Sequence, residues 1–319
     1  MKPKEILVFG ASGQIGRHLI RKLTKNNYKV IAVTRNIHQK GYILKTQANP
    51  GYLDIVELNT FNPNKIKSLM SSCSICVNLI GILFEKRKNH FQNIHKEIPD
   101  LLSRLSSEID LDQFIHLSSL GIENAEDSKY AISKIEGENV VKKFKKSVIL
   151  KPSVVYSVDD NFTTNFMKLL NILPIFPLYY KGETKFTPIH VSDLSEIIFQ
   201  IIKKRIIGET IECVGPEVLT LKEMILKLLK SINKKKILIP IPLNLAKISA
   251  KILELMPKPL LTTDQLRLLK YDNIISGKYK TNFDIGLNSS KIFENEIDKY
   301  SFNWRTGGQF SIKNPKNNN

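Results

Sequence analysis

A chain of 319 residues with 42% hydrophobic content is long enough for about two structural units around a sizeable core, which excludes a small stapled scaffold. Its 48 Lys+Arg against 30 Asp+Glu leave a net charge of +18 and a pI near 9.6, favouring anionic partners: phosphorylated cofactors, an acidic protein face or anionic lipid. The basic residues are scattered among Asn and Ile without a basic aromatic stripe, so nucleic acid is not an expected partner and solvated surface lysines are the plainer account.

Chain order begins with Lys4–Phe9, a short apolar run of the kind that forms a buried strand. Gly10, Gly13 and Gly16 follow at three-residue intervals, then Ile15, Leu19, Ile20 and Leu23 at helical spacing, then a second apolar run at Val30–Val33. Strand, glycine turn, helix and strand outline a dinucleotide-binding unit. A side chain at Gly10 or Gly13 would hold a pyrophosphate away from the N–H groups at the helix start, and Gly16 lets helix and strand pack closely. A carboxylate that would select NAD(H) is missing from Thr34-Arg35-Asn36. Arg35 suits a 2′-phosphate instead, so NADP(H) is expected over NAD(H), with a plain surface arginine as the alternative.

A polar connection follows Arg35, then a third strand at Tyr52–Leu58, a helix from Pro63 to Met70 and a fourth strand at Ile75–Ile80 ending on Gly81. Residues 91–109 read as a long helix kinked at Pro99. Phe114–Leu117 is a fifth strand, Lys129–Phe144 a helix and Val148–Lys151 a sixth strand stopped by Pro152. This alternation predicts an α/β fold, a Rossmann-type doubly wound parallel sheet. Beyond Pro152 the prolines multiply; helices are expected at Ser192–Lys203, Leu221–Leu229 and Leu243–Met256, with a strand at Glu209–Val214. The expected division is a nucleotide-binding domain over 1–152 with a returning segment at about 188–215. Residues 153–187 and 216–300 make a smaller interleaved C-terminal lobe lying over the strands' carboxyl ends. Residues 301–319 form a disordered tail, since NPKNNN has nothing to bury.

Cys73, Cys76 and Cys213 make no disulfide framework, and Cys76 enters an apolar run, so core cysteines are expected rather than redox or metal ligands. His90, His95 and His116 lack companions at ligand spacing; no metal is expected. The first strand starts too early for a targeting segment, and no apolar stretch reaches membrane-span length. The expected location is the cytoplasm, with peripheral attachment to the inner membrane's cytoplasmic face as a further option.

Tyr130 and Lys134 lie four apart on one helical face, behind Ser119 at a strand end. A nearby ammonium lowers a phenol's pKa, so Tyr130 is a candidate proton donor or acceptor, and Ser119 a partner for a substrate carbonyl. Gly10-x-x-Gly13-x-x-Gly16, Ser119 and Tyr130-x-x-x-Lys134 together resemble the extended or atypical short-chain dehydrogenase/reductases, the NAD-dependent epimerase/dehydratase superfamily. Leu150–Tyr156 resembles that superfamily's strand and loop beside the nicotinamide, and His190-Val-Ser-Asp193 its opening of a late helix. The resemblance implies catalytic roles for Ser119, Tyr130 and Lys134, with Lys134 on the nicotinamide ribose. It implies cofactor contacts from Gly10, Ser12, Gly13, Gln14, Ile15 and Gly16, from Arg35, Asn59, Leu79 and Gly81, and from Tyr130, Lys134, Pro152 and Val155.

Val77–Glu85, the run FQNIHKEIP to Pro99, Phe114–Ser118, Ser128-Lys-Tyr130, Val214–Glu217 and Pro257–Asp264 are similar to the NADPH-binding accessory subunits of respiratory complex I, over nearly the whole chain to about residue 290. That likeness implies a tightly held nucleotide serving structure or assembly, with complex I subunits as partners. The alternative is an active reductase, epimerase or dehydratase on a sugar nucleotide or quinone-related carbonyl compound. Two positions depart from the superfamily: Ser157 stands where a glycine is usual and Asn59 where an acid is. Residues 238–256 combine Leu245, Ile248, Ile252 and Leu255 with Lys247 and Lys251. They read either as a helix packed on the lobe or as a face resting on a membrane or larger assembly.

Overall fold

The computed structural model describes residues 5–256 and 259–310. Lys4, Pro257 and the NPKNNN terminus therefore lie outside the described residues. Strand β1 (Glu5–Phe9) buries four consecutive side chains because both its faces are covered. Helix α1 (Gln14–Lys25) turns Leu19, Ile20 and Leu23 onto it and leads to β2 (Lys29–Thr34). The supposed polar connection is helix α2 (Ile37–Lys45), nucleated by the Asn36 side chain, which accepts from the Gln39 N–H at 2.9 Å. β3 (Leu53–Glu57), α3 (Pro63–Ser71) and β4 (Ile75–Asn78) follow as the periodicity predicts.

The long helix is built differently from the expected proline kink. A short α4 (His90–Gln92) runs into a π turn at Asn93–Glu97 and then α5 (Ile98–Glu108). Pro99 has no N–H to aim at the carbonyl of His95, and the wider turn just before it absorbs the mismatch. Then come β5 (Gln113–Leu117), α6 (Lys129–Val141), β6 (Ser147–Pro152), β7 (Val155–Tyr156), α7 (Thr163–Ile172), β8 (Ile175–Leu178), β9 (Lys185–Phe186) and β10 (Ile189–His190). α8 (Val191–Lys203) starts on His190, whose ring caps it by accepting from the Ser192 N–H. The chain finishes with β11 (Thr210–Cys213), β12 (Leu219–Thr220), α9 (Leu221–Ser231), β13 (Ile237–Pro240), α10 (Leu243–Glu254), α11 (Thr263–Leu268), β14 (Lys280–Thr281) and α12 (Phe293–Asp298).

Eight strands form one parallel sheet in the order β14-β11-β6-β5-β4-β1-β2-β3. One apolar core, with Leu19, Leu44 and Ile198, lies between the sheet and α1, α2 and α8. The other, with Ile66, Leu102 and Val141, lies under α3, α5 and α6. This is the doubly wound sheet read from the sequence. Strand β14, in the stretch expected to belong to the smaller lobe, joins the main sheet's edge beside β11. A third core gathers Met167, Phe176, Ile225 and Phe293 from α7, β8, α9 and α12. The tail expected from residue 301 begins too early: Ser301 is buried, Trp304 packs on the third core, and Arg305 Nε donates to the Ser231 carbonyl at 2.7 Å. Cys73, Cys76 and Cys213 are buried free thiols, and burial pushes Cys73 up to about 11.

Candidate functional site

Because the sheet is parallel, Gly10, Arg35, Asn59, Leu79, Ser119 and Pro152 all come at or just beyond carboxyl ends of strands. The three glycines there have different reasons. Gly10 sits at φ +75°, and a Cβ would lie 2.9 Å from the Leu79 carbonyl carbon. On Gly16 a Cβ would lie 2.5 Å from the carbonyl oxygens of both Gly10 and Ala11. These two glycines are demanded by the turn's own backbone, so the access argument does not account for Gly10. Gly13 has an ordinary extended conformation, φ −74° and ψ 172°, and a Cβ there would meet only the Gly10 carbonyl oxygen, at 3.2 Å. It caps α1 without a side chain, and the first turn holds no acid. The N–H groups of that turn and their dipole are open to an anion.

Across this turn lies the loop after β7. Gln14 Nε2 donates to Ser157 Oγ at 2.9 Å, and Arg17 pairs with Asp159. The hydroxyl that replaces the usual glycine thus ties the loop to α1.

Helix α6 carries Tyr130 and Lys134, and the Ser119 side chain hydrogen-bonds the Tyr130 side chain. The three sequence-selected residues therefore converge. Their electrostatics differ from expectation: burial pushes Tyr130 up to about 12, and the Ser119 bond only partly opposes this. Lys134 Nζ donates to the Leu117 carbonyl at 2.8 Å, with Gly81 beside it. Burial brings Lys134 down to about 8; Glu138 opposes the shift and Lys151 adds to it. Behind it runs a buried chain of alternating charge. Lys151 donates to Glu138 at 2.9 Å and pairs with Glu123, while Ser118 Oγ also donates to Glu138. Burial opposes the charge on Lys151, but the two glutamates outweigh it and raise its pKa.

Sequence reasoning set His95 aside, yet it packs edge-on to Tyr130 at 5.3 Å and stacks on Phe91. Its Nε2 accepts from the Ile82 N–H at 3.2 Å, so the proton is on Nδ1, which meets Ser133 Oγ at 2.9 Å. Burial, with Lys134 and His116 nearby, lowers His95 to about 2. The ring is a neutral wall of the site.

At the far end Arg35 is exposed after β2, within electrostatic reach of His90, as are Lys86 and Arg87. Asn59 donates to Glu57 Oε1 at 3.1 Å, and Glu57 Oε2 accepts from the first N–H of α2. The second lobe closes the other side. Asp264 accepts from Ser128 Oγ and from the N–H groups of Lys129 and Tyr130. Asn273 Oδ1 accepts from the Ser153 hydroxyl, and its side-chain amide donates to the Leu120 carbonyl. A cavity of about 250 Å³ opens between Phe84, Phe91, Lys129, Asp264 and Arg267, one wall away from Tyr130. Within Thr262-Thr263-Asp264 nothing local says that the acid caps a helix 134 positions earlier. Asp193, in the first turn of α8, accepts from the N–H groups of Ser290 and Lys291 at 2.9 Å and so ties that segment to the helix.

An uncapped helix start behind Gly13 and an ammonium facing the bare Gly81 suit the diphosphate and the ribose of a nicotinamide dinucleotide. The comparisons agree in kind. The NADH-ubiquinone oxidoreductase 40 kDa subunit of Neurospora crassa is 25% identical over 288 residues, 89% of this chain and 76% of that protein. The mitochondrial NADH dehydrogenase (ubiquinone) 1 alpha subcomplex subunit 9 of Mus musculus is 26% identical over 272 residues, 84% of this chain and 72% of that protein. A UDP-glucuronic acid 4-epimerase from Bacillus cereus, solved with UDP-glucuronic acid and NAD, superposes with a TM-score of 0.69 at 20% identity, covering 93% of this chain and 98% of its own. Residues 6–213, most of the chain and all of the sheet's carboxyl-end residues named above, match the NAD dependent epimerase/dehydratase family, and to that family this protein belongs.

Proposed function

We propose that the protein is an NADP(H)-holding accessory component of respiratory complex I, the NADH:ubiquinone oxidoreductase, in which the dinucleotide serves the fold and its attachment rather than turnover. The observation that carries this reading is the likeness to the complex I subunits of Neurospora crassa and Mus musculus, which spans 89% and 84% of the chain. Burial raises the phenol of Tyr130 to about 12, which makes it a poorer proton donor than an ordinary tyrosine. Lys134 donates to the Leu117 backbone carbonyl at 2.8 Å. Gly13, Gln14 and Ile15 would take the diphosphate, Lys134 and Gly81 the nicotinamide ribose, Pro152 and Val155 the nicotinamide side, and Arg35 the 2′-phosphate. Ser12, Leu79 and Asn59 line the same edge. When bound, a nicotinamide supplies hydride exchange; the chain's own residues fix its place and exclude water. A ligand that binds only the folded state stabilises the fold by linkage. The protein acts in the cytoplasm, attached peripherally at the membrane that holds the complex.

A second reading, an active reductase, epimerase or dehydratase, has one observation in its favour: Ser119, Tyr130 and Lys134 do converge. Purifying the protein with its partners from native membranes and assaying variants in cells separates the two. Bound NADP(H), loss of the larger assembly with Gly13→Val, and indifference to Tyr130→Phe are expected. A Tyr130→Phe phenotype equal to deletion would sink the accessory reading. NADH binding tighter than NADPH would remove the role given to Arg35.

A further inference from the structure

In a helix packed on a soluble lobe the large apolar side chains turn inward. In α10 they turn outward. Its buried residues are Ala246 and Ala250, at 2% and 0% exposure, whereas Leu245, Ile248, Ile252 and Leu255 are exposed at 57%, 56%, 62% and 86%. The element before it repeats the inversion. Strand β13 pairs in parallel with β8, and the ribbon sends Phe176 and Leu178 into the third core while Ile175, Ile237 and Ile239 face solvent. Only Ile241 and Pro242 separate β13 from α10, so the two apolar surfaces are consecutive in the chain.

The charges beside this surface are mostly positive; the exception, Glu254 at the end of α10, accepts from the Thr263 N–H and hydroxyl. Lys234, Lys235 and Lys236 lead into β13, and Lys247 and Lys251 lie one turn apart along α10. Among the described residues none of the five is in an ion pair. The exposed set of α10 and the ribbon is Leu, Ile and Met, without the Trp, Tyr and Arg that anchor protein interfaces. Aliphatic side chains flanked by long unpaired lysines are instead the make-up of a helix lying in a lipid interface, its ammonium groups reaching the headgroups. Twelve residues are too few to cross a bilayer, and no described helix is long and apolar enough to do so.

We infer that α10, with the outward face of the β8–β13 ribbon, rests in the plane of an anionic lipid surface. The inference draws on nothing in the dinucleotide crevice, so either can fail without the other. The test is co-sedimentation of the full chain with phosphatidylglycerol/phosphatidylcholine vesicles and with phosphatidylcholine alone. Two double variants serve, Ile248→Asp with Ile252→Asp and Lys247→Glu with Lys251→Glu, and NADPH uptake and thermal unfolding check the fold of each. Wild type should bind the anionic vesicles, and the isoleucine variant should lose them while keeping its fold. The lysine variant should bind at least about thirtyfold more weakly, and the salt sensitivity of binding should fall. Folded wild type that ignores anionic vesicles overturns the inference. So does a lipid-free dimer, or lipid-free docking onto purified complex I, that the isoleucine variant abolishes.

Discussion

The Tyr130 N–H donates to Asp264 Oδ2 at 3.0 Å, although 134 positions separate the two residues. The same carboxylate takes the Lys129 N–H at 2.9 Å and the Ser128 hydroxyl at 2.8 Å. A side chain of the second lobe thus caps the helix that carries the candidate site, where its negative charge also meets the positive end of the helix dipole. Asp264→Ala should cost about 1–2 kcal/mol of stability, measured by denaturant unfolding, with Asp264→Asn intermediate. Equal stability of all three would show that the cap does not hold the lobe to the helix.

Gly137 makes a sharper test of packing. In mid-helix an alanine ordinarily stabilises by about 0.5–1 kcal/mol. Here a Cβ would lie 1.9 Å from the His95 carbonyl oxygen, which the π turn carries against α6. Both partners are backbone, so neither can swing aside. Gly137→Ala should therefore destabilise by about 1–3 kcal/mol. A gain in melting temperature would mean that the two helices part easily.

How far these contacts were legible in the sequence follows from their range. The glycine turn, the six leading strands and the Tyr130–Lys134 pair are written in local spacing, where each residue's role depends on its near neighbours. Helix α2 escapes the hydrophobic period because its apolar residues are few and its start is a side-chain cap at Asn36. The π turn depends on a proline and a carbonyl four residues back, a relation no hydrophobic period records. The tyrosine's pKa is hidden from the sequence for a related reason. Helical spacing puts Lys134 on the phenol's side of α6, but the folded chain turns its ammonium to the Leu117 carbonyl and buries the phenol against Phe91 and His95.

His95 should govern stability in mild acid. Its folded pKa, about 2, lies below the unfolded value of 6.5, so between those values the unfolded chain binds a proton that the native state does not. Stability is complete above pH 6.5 and is lost as pH falls toward 2, by about 1.4 kcal/mol per pH unit for this one group. His116, held neutral by burial in the same direction, adds to the loss. Unfolding free energies measured from pH 7.5 to 4.5 should fall steeply for the wild type and less steeply for His95→Gln. Parallel curves would refute a buried neutral His95.

The loop after β7 offers a kinetic prediction. Ser157 is buried, accepts from Gln14 and donates to Asp159, which in turn pairs with Arg17. Gln14 and Arg17 belong to the first turn of α1 and Ser157 and Asp159 to the loop after β7, so the clasp stands beside the proposed diphosphate site and should slow release of a dinucleotide seated there. The Gln14–Ser157 bond is partly buried and worth about 1 kcal/mol. The Arg17–Asp159 pair is about a quarter to a third exposed and worth less, about 0.5 kcal/mol after screening. Ser157→Gly should speed NADPH release by about fivefold, and Asp159→Ala by about twofold, in a fluorescence chase. High salt should accelerate release from the wild type and from Ser157→Gly, but scarcely from Asp159→Ala, which no longer has an ion pair to screen. Release rates unchanged in both variants, with uptake intact, would mean that the nucleotide leaves by a route the clasp does not guard.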